Sequence, residues 1–252
     1  MRSKRSIKQM ETISNQHLKQ ISKLKQKKYR SLSNVVLVEG LRTIKHLTAR
    51  NTRLIELYIS ESYRNLLIDA DKTFILQPQQ FQKITSTKNP QNIAALVARK
   101  NIPINNFNFI VYLDNISEPG NLGTIIRTCE AAGVSGLVLS PQCCDIYNAK
   151  VIRAAMGSVF TFPIEYQDYD WLKNQKAKLI AADVKGANNI FDYPRPKENI
   201  ILIIGSEADG IDTAIMNMVD DTVMIPLKNG IESLNAAVAT AIAVYHFLNS
   251  KV

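Results

Sequence analysis

Val223-Met224-Ile225-Pro226-Leu227-Lys228-Asn229-Gly230-Ile231-Glu232-Ser233-Leu234-Asn235-Ala236-Ala237-Val238-Ala239-Thr240-Ala241 runs from a short apolar strand through a polar turn into an alanine-rich helix. The strand reads over 223–225 and the helix over 233–248. Ser233 and Asn235 stand where a helix start leaves N–H groups unpaired. Such an end suits an anion or the polar edge of a ligand. Plain capping accounts for Ser233 but not for Asn235 inside the first turn. The alanines behind them let another element pack very close.

Two other loops also follow strands. Residues 119–134 read PGNLGTIIRTCEAAGV. At 100° per residue Leu122, Ile125, Ile126, Cys129, Ala132 and Gly133 share one face, and Arg127 lies about 140° from Leu122. By helical geometry alone Arg127 is an ordinary exposed arginine. Asn121 reads as an N-cap, and Gly120 and Gly123 permit close backbone approach. Residues 203–211, IIGSEADGI, carry a strand into two glycines that flank Ser206, Glu207 and Asp209. Taken alone this is equally an acidic turn capping a helix. It is neither GxGxxG nor a P-loop, so neither a Rossmann dinucleotide site nor a Walker site is supported.

Around these loops the pattern is regular. Strands are expected at 109–113, 136–139, 160–164, 178–183 and 200–204, and helices at 121–132, 145–156 and 211–218. Strands apolar on both faces, alternating with helices, indicate an α/β domain with a parallel sheet covered on both sides. Ligands in such sheets bind beyond the carboxyl ends of the strands. Before this domain, strands at 35–38, 54–59, 74–76 and 93–98 and helices at 15–28, 41–49 and 81–85 form a small α/β unit. Ser14 is expected to cap the first helix, which turns Leu18, Ile21 and Leu24 to one face. The organisation is 1–99, a polar linker at 100–107 broken by Pro103, and 108–252.

The formal net charge is +9. Residues 1–30 hold ten basic side chains and one acid, whereas 31–252 hold 21 of each sign and are formally neutral. Basic charge so concentrated releases counterions on meeting phosphates, which points to nucleic acid. A solvated, solubilising tail is the plainer reading. No run approaches a membrane span, and no secretory h-region is present. A basic transit peptide is the rival to a cytoplasmic location. Three cysteines form neither a disulfide framework nor a metal-ligand spacing.

In combination the loops say more than they do singly. Asn121 with Arg127 six residues on, then GSEADG, then IPLxxGIESLNAAVA, each after a strand, resemble the three motifs of the SpoU (TrmH-like) RNA 2′-O-ribose methyltransferases of the SPOUT superfamily. VVLVEGLRTIKHL and ITSTKNPQNIAALV resemble that family's small substrate-binding domain. The resemblance implies a C-terminal trefoil knot, although knots are nearly absent from proteins. It implies S-adenosylmethionine as cofactor, contacted by Gly205, Ile225 and Leu234, and a homodimer. Arg127 is then the catalytic arginine, with Asn121, Glu207, Ser233 and Asn235 arranging it and the substrate ribose. Ala208 departs from the glycine common in the family, which puts the tightness of the second loop in question.

Methyl transfer to a ribose hydroxyl requires in-line positioning and an acceptor for the hydroxyl proton. His17, His46 and His246 lie in none of the three motifs. Guanidinium groups hold their proton in proteins, so Arg127 is expected to grip a phosphate and stabilise the developing alkoxide, with Glu207 or water taking the proton. The substrate is RNA, because DNA lacks the 2′-hydroxyl. Ribosomal RNA of the large subunit is favoured and tRNA second. The alternative is a non-catalytic RNA-binding or ribosome-assembly protein that kept the fold.

Overall fold

The computed structural model describes residues 10–249. The basic residues Arg2, Lys4, Arg5 and Lys8 lie outside this range. The chain forms two compact units: the described residues through Lys100 together with Tyr147–Phe160, and Asn101–Ile146 together with the residues from Thr161 on.

The first unit comprises β1 (Met10–Thr12), α1 (Asn15–Lys23), α2 (Lys27–Ser33), β2 (Val35–Glu39), α3 (Leu41–Ala49), β3 (Glu56–Ile59), β4 (Lys72–Ile75), α4 (Pro78–Ile84) and β5 (Ile93–Ala98). Its sheet runs β1-β4-β3-β5-β2. β4 is parallel to both β1 and β3, and β5 is antiparallel to both β2 and β3. Ser14 caps α1 as expected, its hydroxyl accepting from His17 N–H at 3.1 Å. Leu18, Ile21 and Leu24 enter the core beside Tyr58, Phe74 and Phe81. Burying each such side chain contributes about 1.5–3 kcal/mol, so this stretch is integral to the unit rather than a loose arm.

The single helix expected at 15–28 is two helices. The buried Arg30 explains the break: its Nη1 donates to the carbonyls of Leu24 at 2.9 Å and Lys25 at 2.7 Å, groups that continued helix would have used itself. β1 was not anticipated from the sequence, because three residues carry no readable period.

The second unit contains β6 (Phe109–Leu113), α5 (Pro119–Ala132) and β7 (Gly136–Leu139). Next comes α6 (Ala149–Ala154), which belongs with the first unit. The rest follows as β8 (Ile164–Tyr166), α7 (Tyr169–Lys173), β9 (Lys178–Ala182), β10 (Asn188–Asn189), β11 (Ile200–Ile204), α8 (Thr213–Met216), β12 (Asp221–Met224) and α9 (Ala236–Asn249). Residues 147–160, read from the sequence as part of 108–252, thus pack with the first unit. There the Tyr147 hydroxyl donates to the Lys100 carbonyl at 2.7 Å, and Arg99 lies 4.7 Å from the ring centroid.

Seven strands form the sheet β10-β12-β9-β11-β6-β7-β8, and every pairing is parallel. All five residues of β6 and of β11 are buried, as a sheet covered on both faces requires. Alternation sends Ile110 and Tyr112 toward Leu172 of α7 and Ile215 of α8. On the opposite face Phe109 meets Phe247 of α9 edge-on, with centroids 6.1 Å apart. α9 packs against α5, the close neighbour its alanines allow.

Candidate active site

Four loops at the carboxyl ends of β6, β9, β11 and β12 build the site. Asp114 follows β6 and is buried. Its backbone N–H donates to the Ile204 carbonyl at 2.8 Å, which ties the ends of β6 and β11 together. Its Oδ2 accepts from Asp212 N–H at 2.8 Å and its Oδ1 from the Tyr169 hydroxyl at 3.2 Å. Desolvation, then the neighbouring Asp114 charge, push the Tyr169 hydroxyl up to about 12. Asp114 therefore holds both ends of the loop after β11. No motif in the sequence singled it out.

That loop is a tight hairpin. Ser206 and Gly210 exchange backbone hydrogen bonds at 3.0 and 3.1 Å, and Asp209 N–H donates to Ser206 Oγ at 3.1 Å. Gly210 has φ +70°, and a Cβ on Gly205 would lie 2.2 Å from Gly210 C and O. Gly205 leaves no room for a side chain, and the left-handed φ of Gly210 favours glycine. Ala208 has no positive φ, so alanine is accommodated there without strain.

At α5 the expected cap is corrected. Glu118 is the N-cap, accepting from Gly120 N–H at 2.8 Å, and Pro119 opens the helix. Asn121 sits inside the first turn, so its side chain is free to bond outside the helix. Its Nδ2 donates to Glu207 Oε1, and its Oδ1 accepts from Asn235 Nδ2 at 3.0 Å. Asn235 Nδ2 also reaches Glu207 Oε1 at 3.2 Å, and Ala236 N–H reaches the same oxygen at 3.1 Å. Glu207 thus lies against the start of α9, where partial positive charge favours a carboxylate.

The assignment of the α9 cap reverses as well. Asn235 Oδ1 accepts from Ala237 N–H at 3.0 Å and Val238 N–H at 3.4 Å, so Asn235 caps the helix. Ser233 lies before it, exposed, with no hydrogen bond among the described residues. Asn121, Glu207 and Asn235 are therefore brought together, and Arg127 is not bonded to them. Six residues along α5 from Asn121, Arg127 stands about 9 Å farther up the axis and about 120° around it. It is exposed and has no hydrogen-bond or ion-pair partner among the described residues.

Beside the cluster opens a pocket of about 360 Å³, within the roughly 300–1,000 Å³ usual for small-ligand sites. Gly205, Ile225 and Leu234 line it, with Ser233 and Glu207 at its edge. Ile204, Ile211, Val223 and Leu227 supply apolar wall. The backbone groups of Leu227, Ser233 and Leu234 make no hydrogen bond among the described residues. Apolar walls edged by unpaired N–H and C=O groups fit a nucleoside-type ligand, whose flat base carries donors and acceptors at its rim. Among the described residues no group of His, Cys, Asp and Glu is placed to hold a metal ion, and no helix is long and apolar enough to cross a membrane.

Fold and site together define an α/β protein with a nucleoside-sized pocket and a polar cluster at the carboxyl end of a parallel sheet. Residues 108–245 match the SpoU rRNA Methylase family, and residues 15–95 match the MRM3-like substrate binding domain. The chain belongs to the SpoU family. It is 32% identical over 246 residues to the 23S rRNA (guanosine(2553)-2'-O)-methyltransferase RlmP of Bacillus subtilis, covering 95% of this chain and 99% of that one. It is 30% identical over 161 residues to the 23S rRNA (uridine(2479)-2'-O)-methyltransferase of Streptomyces viridochromogenes, 60% of this chain and 56% of that protein. The structure of the AdoMet-bound rRNA methyltransferase from Sinorhizobium meliloti superposes with a TM-score of 0.81 at 25% identity, over 95% of this chain and 97% of the other.

Proposed function

We propose that this protein transfers a methyl group from S-adenosylmethionine to a ribose 2′-hydroxyl of RNA, with 23S ribosomal RNA as substrate and tRNA as the second reading. The observation that carries this is the Asn121–Glu207–Asn235 cluster, assembled from three separate loops at the rim of a pocket lined by Gly205, Ile225 and Leu234. Those three residues would hold the cofactor, which supplies an already electrophilic sulfonium methyl when bound. Ser233 offers a free hydroxyl to the ribose. Arg127, a cation with no partner among the described residues, grips the neighbouring phosphate and stabilises the developing alkoxide.

Glu207 Oε1 is committed to three N–H donors, so its first task is to hold the α5 and α9 loops in register. Its Oε2 takes none of these bonds and is the oxygen open to the hydroxyl proton; water is the alternative acceptor. Glu207→Ala is expected to lower single-turnover methyl transfer about 100-fold, the scale of a missing general base or positioned donor. Glu207→Gln, which keeps the Oε1 acceptor, falls as far if Oε2 receives the proton. It stays within about threefold of wild type if water does.

The first unit holds the RNA. Lys19, Lys23, Lys25, Lys27 and Lys28 are all exposed on and around α1 and α2, and no acid stands between Glu11 and Glu39. Changing Lys23, Lys25, Lys27 and Lys28 to alanine is expected to weaken RNA binding at low salt. The slope of log affinity against log salt should become shallower by about 0.7–0.9 for each phosphate that the variant no longer neutralises. An unchanged slope places the RNA elsewhere.

The remaining parts of the reading are a C-terminal trefoil knot, a homodimer through the second unit and a cytoplasmic location. The likeness to SpoU structures supports the knot. Val238 and Tyr245, seven residues apart on α9 and both about half exposed at 48% and 47%, support the dimer as an apolar stripe in need of a cover. The experiment that tests the activity is incubation with radiolabelled S-adenosylmethionine and total RNA, followed by mapping of the label. Cofactor binding with no transfer to any RNA would favour the assembly-factor reading.

A further inference from the structure

The pocket has three walls, of which two are the Gly205–Gly210 hairpin and the segment that follows β12. The third is the turn after β9, where Asp183, Val184 and Lys185 line the cavity. β9 lies between β12 and β11 in the sheet, so Asp183 stands at the end of the middle strand of three that stop at the pocket. The turn is firmly set. Asp183 N–H donates to the Val223 carbonyl at 2.9 Å, and Gly186 N–H donates to the Asp183 carbonyl at 3.0 Å. A Cβ on Gly186 would lie 2.4 Å from Val223 C, so backbone presses on backbone there.

The half-buried Asp183 carboxylate is only partly used. Its Oδ1 accepts from Lys185 N–H at 2.7 Å. Its Oδ2 has no hydrogen-bond or ion-pair partner among the described residues. A carboxylate oxygen only accepts, and in a pocket it favours a ligand that brings hydroxyl or ammonium donors. Of the other two carboxylates on the lining, Glu207 is committed to the cluster and Asp209 is exposed on the hairpin. The β12 side of the turn is apolar: Val223 is the register partner of Ala182, and Ile225 and Leu227 follow it along the wall. That wall suits a flat base, while the reacting end of the ligand must reach Glu207 on the β11 side. The group between them is the sugar.

We propose that Asp183 Oδ2 accepts hydrogen bonds from the ribose hydroxyls of the cofactor, making Asp183 a specificity residue for the adenosine half. This rests on the reading of the pocket as the S-adenosylmethionine site. The test is calorimetric binding of S-adenosylhomocysteine and of methylthioadenosine, which has the same base and ribose but no amino acid. Asp183→Asn keeps an acceptor for Lys185 N–H and replaces only the second oxygen with an NH₂ group, and an unchanged melting temperature verifies the fold. Affinity for both ligands should fall tenfold or more in this variant. Wild-type affinity for both in Asp183→Asn overturns the proposal, and so does a loss confined to S-adenosylhomocysteine, which would assign Asp183 to the ammonium instead. Failure of the wild-type protein to bind either ligand overturns the cofactor reading beneath it.

Discussion

Arg127→Ala should leave the protein folded and its cofactor affinity intact while lowering methyl transfer roughly 100- to 1,000-fold, the usual scale for removing a preorganised charge stabiliser. What Arg127 lacks sets this expectation. It is exposed, bonds to nothing among the described residues, and is absent from the pocket lining. Removing such a side chain changes stability by no more than about 0.5 kcal/mol. On the proposed reading, this uncommitted guanidinium, on the helix that also carries Asn121, would act only when a substrate arrives. Thermal unfolding and binding of S-adenosylhomocysteine should therefore match wild type, with the loss confined to transfer. Arg127→Lys separates two roles, since an ammonium cannot make the bidentate contact a guanidinium makes with phosphate. Near-full transfer in the lysine variant would exclude that contact.

Gly205→Ala should act in the opposite way, through structure first. The new Cβ would stand 2.2 Å from Gly210 C and O and 2.5 Å from Ile211 N. These are backbone atoms fixed by the Ser206–Gly210 pair and by Asp114 through Asp212 N–H, so no side chain can swing aside. The hairpin must open, at a cost of about 2–4 kcal/mol. Urea unfolding should show the midpoint falling with little change in slope. Cofactor binding should disappear as well, since Gly205 forms the pocket wall. Ala208→Gly is the control: Ala208 is exposed and not in a strained conformation. It should alter stability by no more than about 1 kcal/mol.

Much of the architecture was legible because long apolar runs report their own state. The strands at 93–98, 109–113, 136–139 and 200–204 and the helix at 41–49 are found at the residues expected. Shorter elements were missed or shifted. β1, β10 and α7 hold three, two and five residues, too few for a period to show. The helices expected at 145–156 and 211–218 shrink to Ala149–Ala154 and Thr213–Met216, where Asn148 and Asp212 cap them. The caps of α5 and α9 are not legible in the sequence for a common reason. Several polar residues precede each helix, and which one turns back to the first N–H groups depends on where the chain enters.

What the sequence determined by itself was the order of elements, the covered parallel sheet and the three loops that carry the motif residues. These follow from local patterning and from residue types whose chemistry does not depend on context. The tertiary structure decided which of those residues meet. Strand order sets β11 beside β6 and one strand, β9, away from β12, and this brings Glu207 to Asn121 and Asn235 across separations of 86 and 28 residues. The same order gives Asp114 and Asp183 their roles, one clamping the hairpin and the other facing the pocket, although neither stands in a conspicuous motif. Arg127 was legible as a cation on a helix, but only the fold revealed that nothing among the described residues neutralises it. Periodicity describes a residue's neighbours along the chain, whereas hydrogen bonds between loops are fixed by which strands pair.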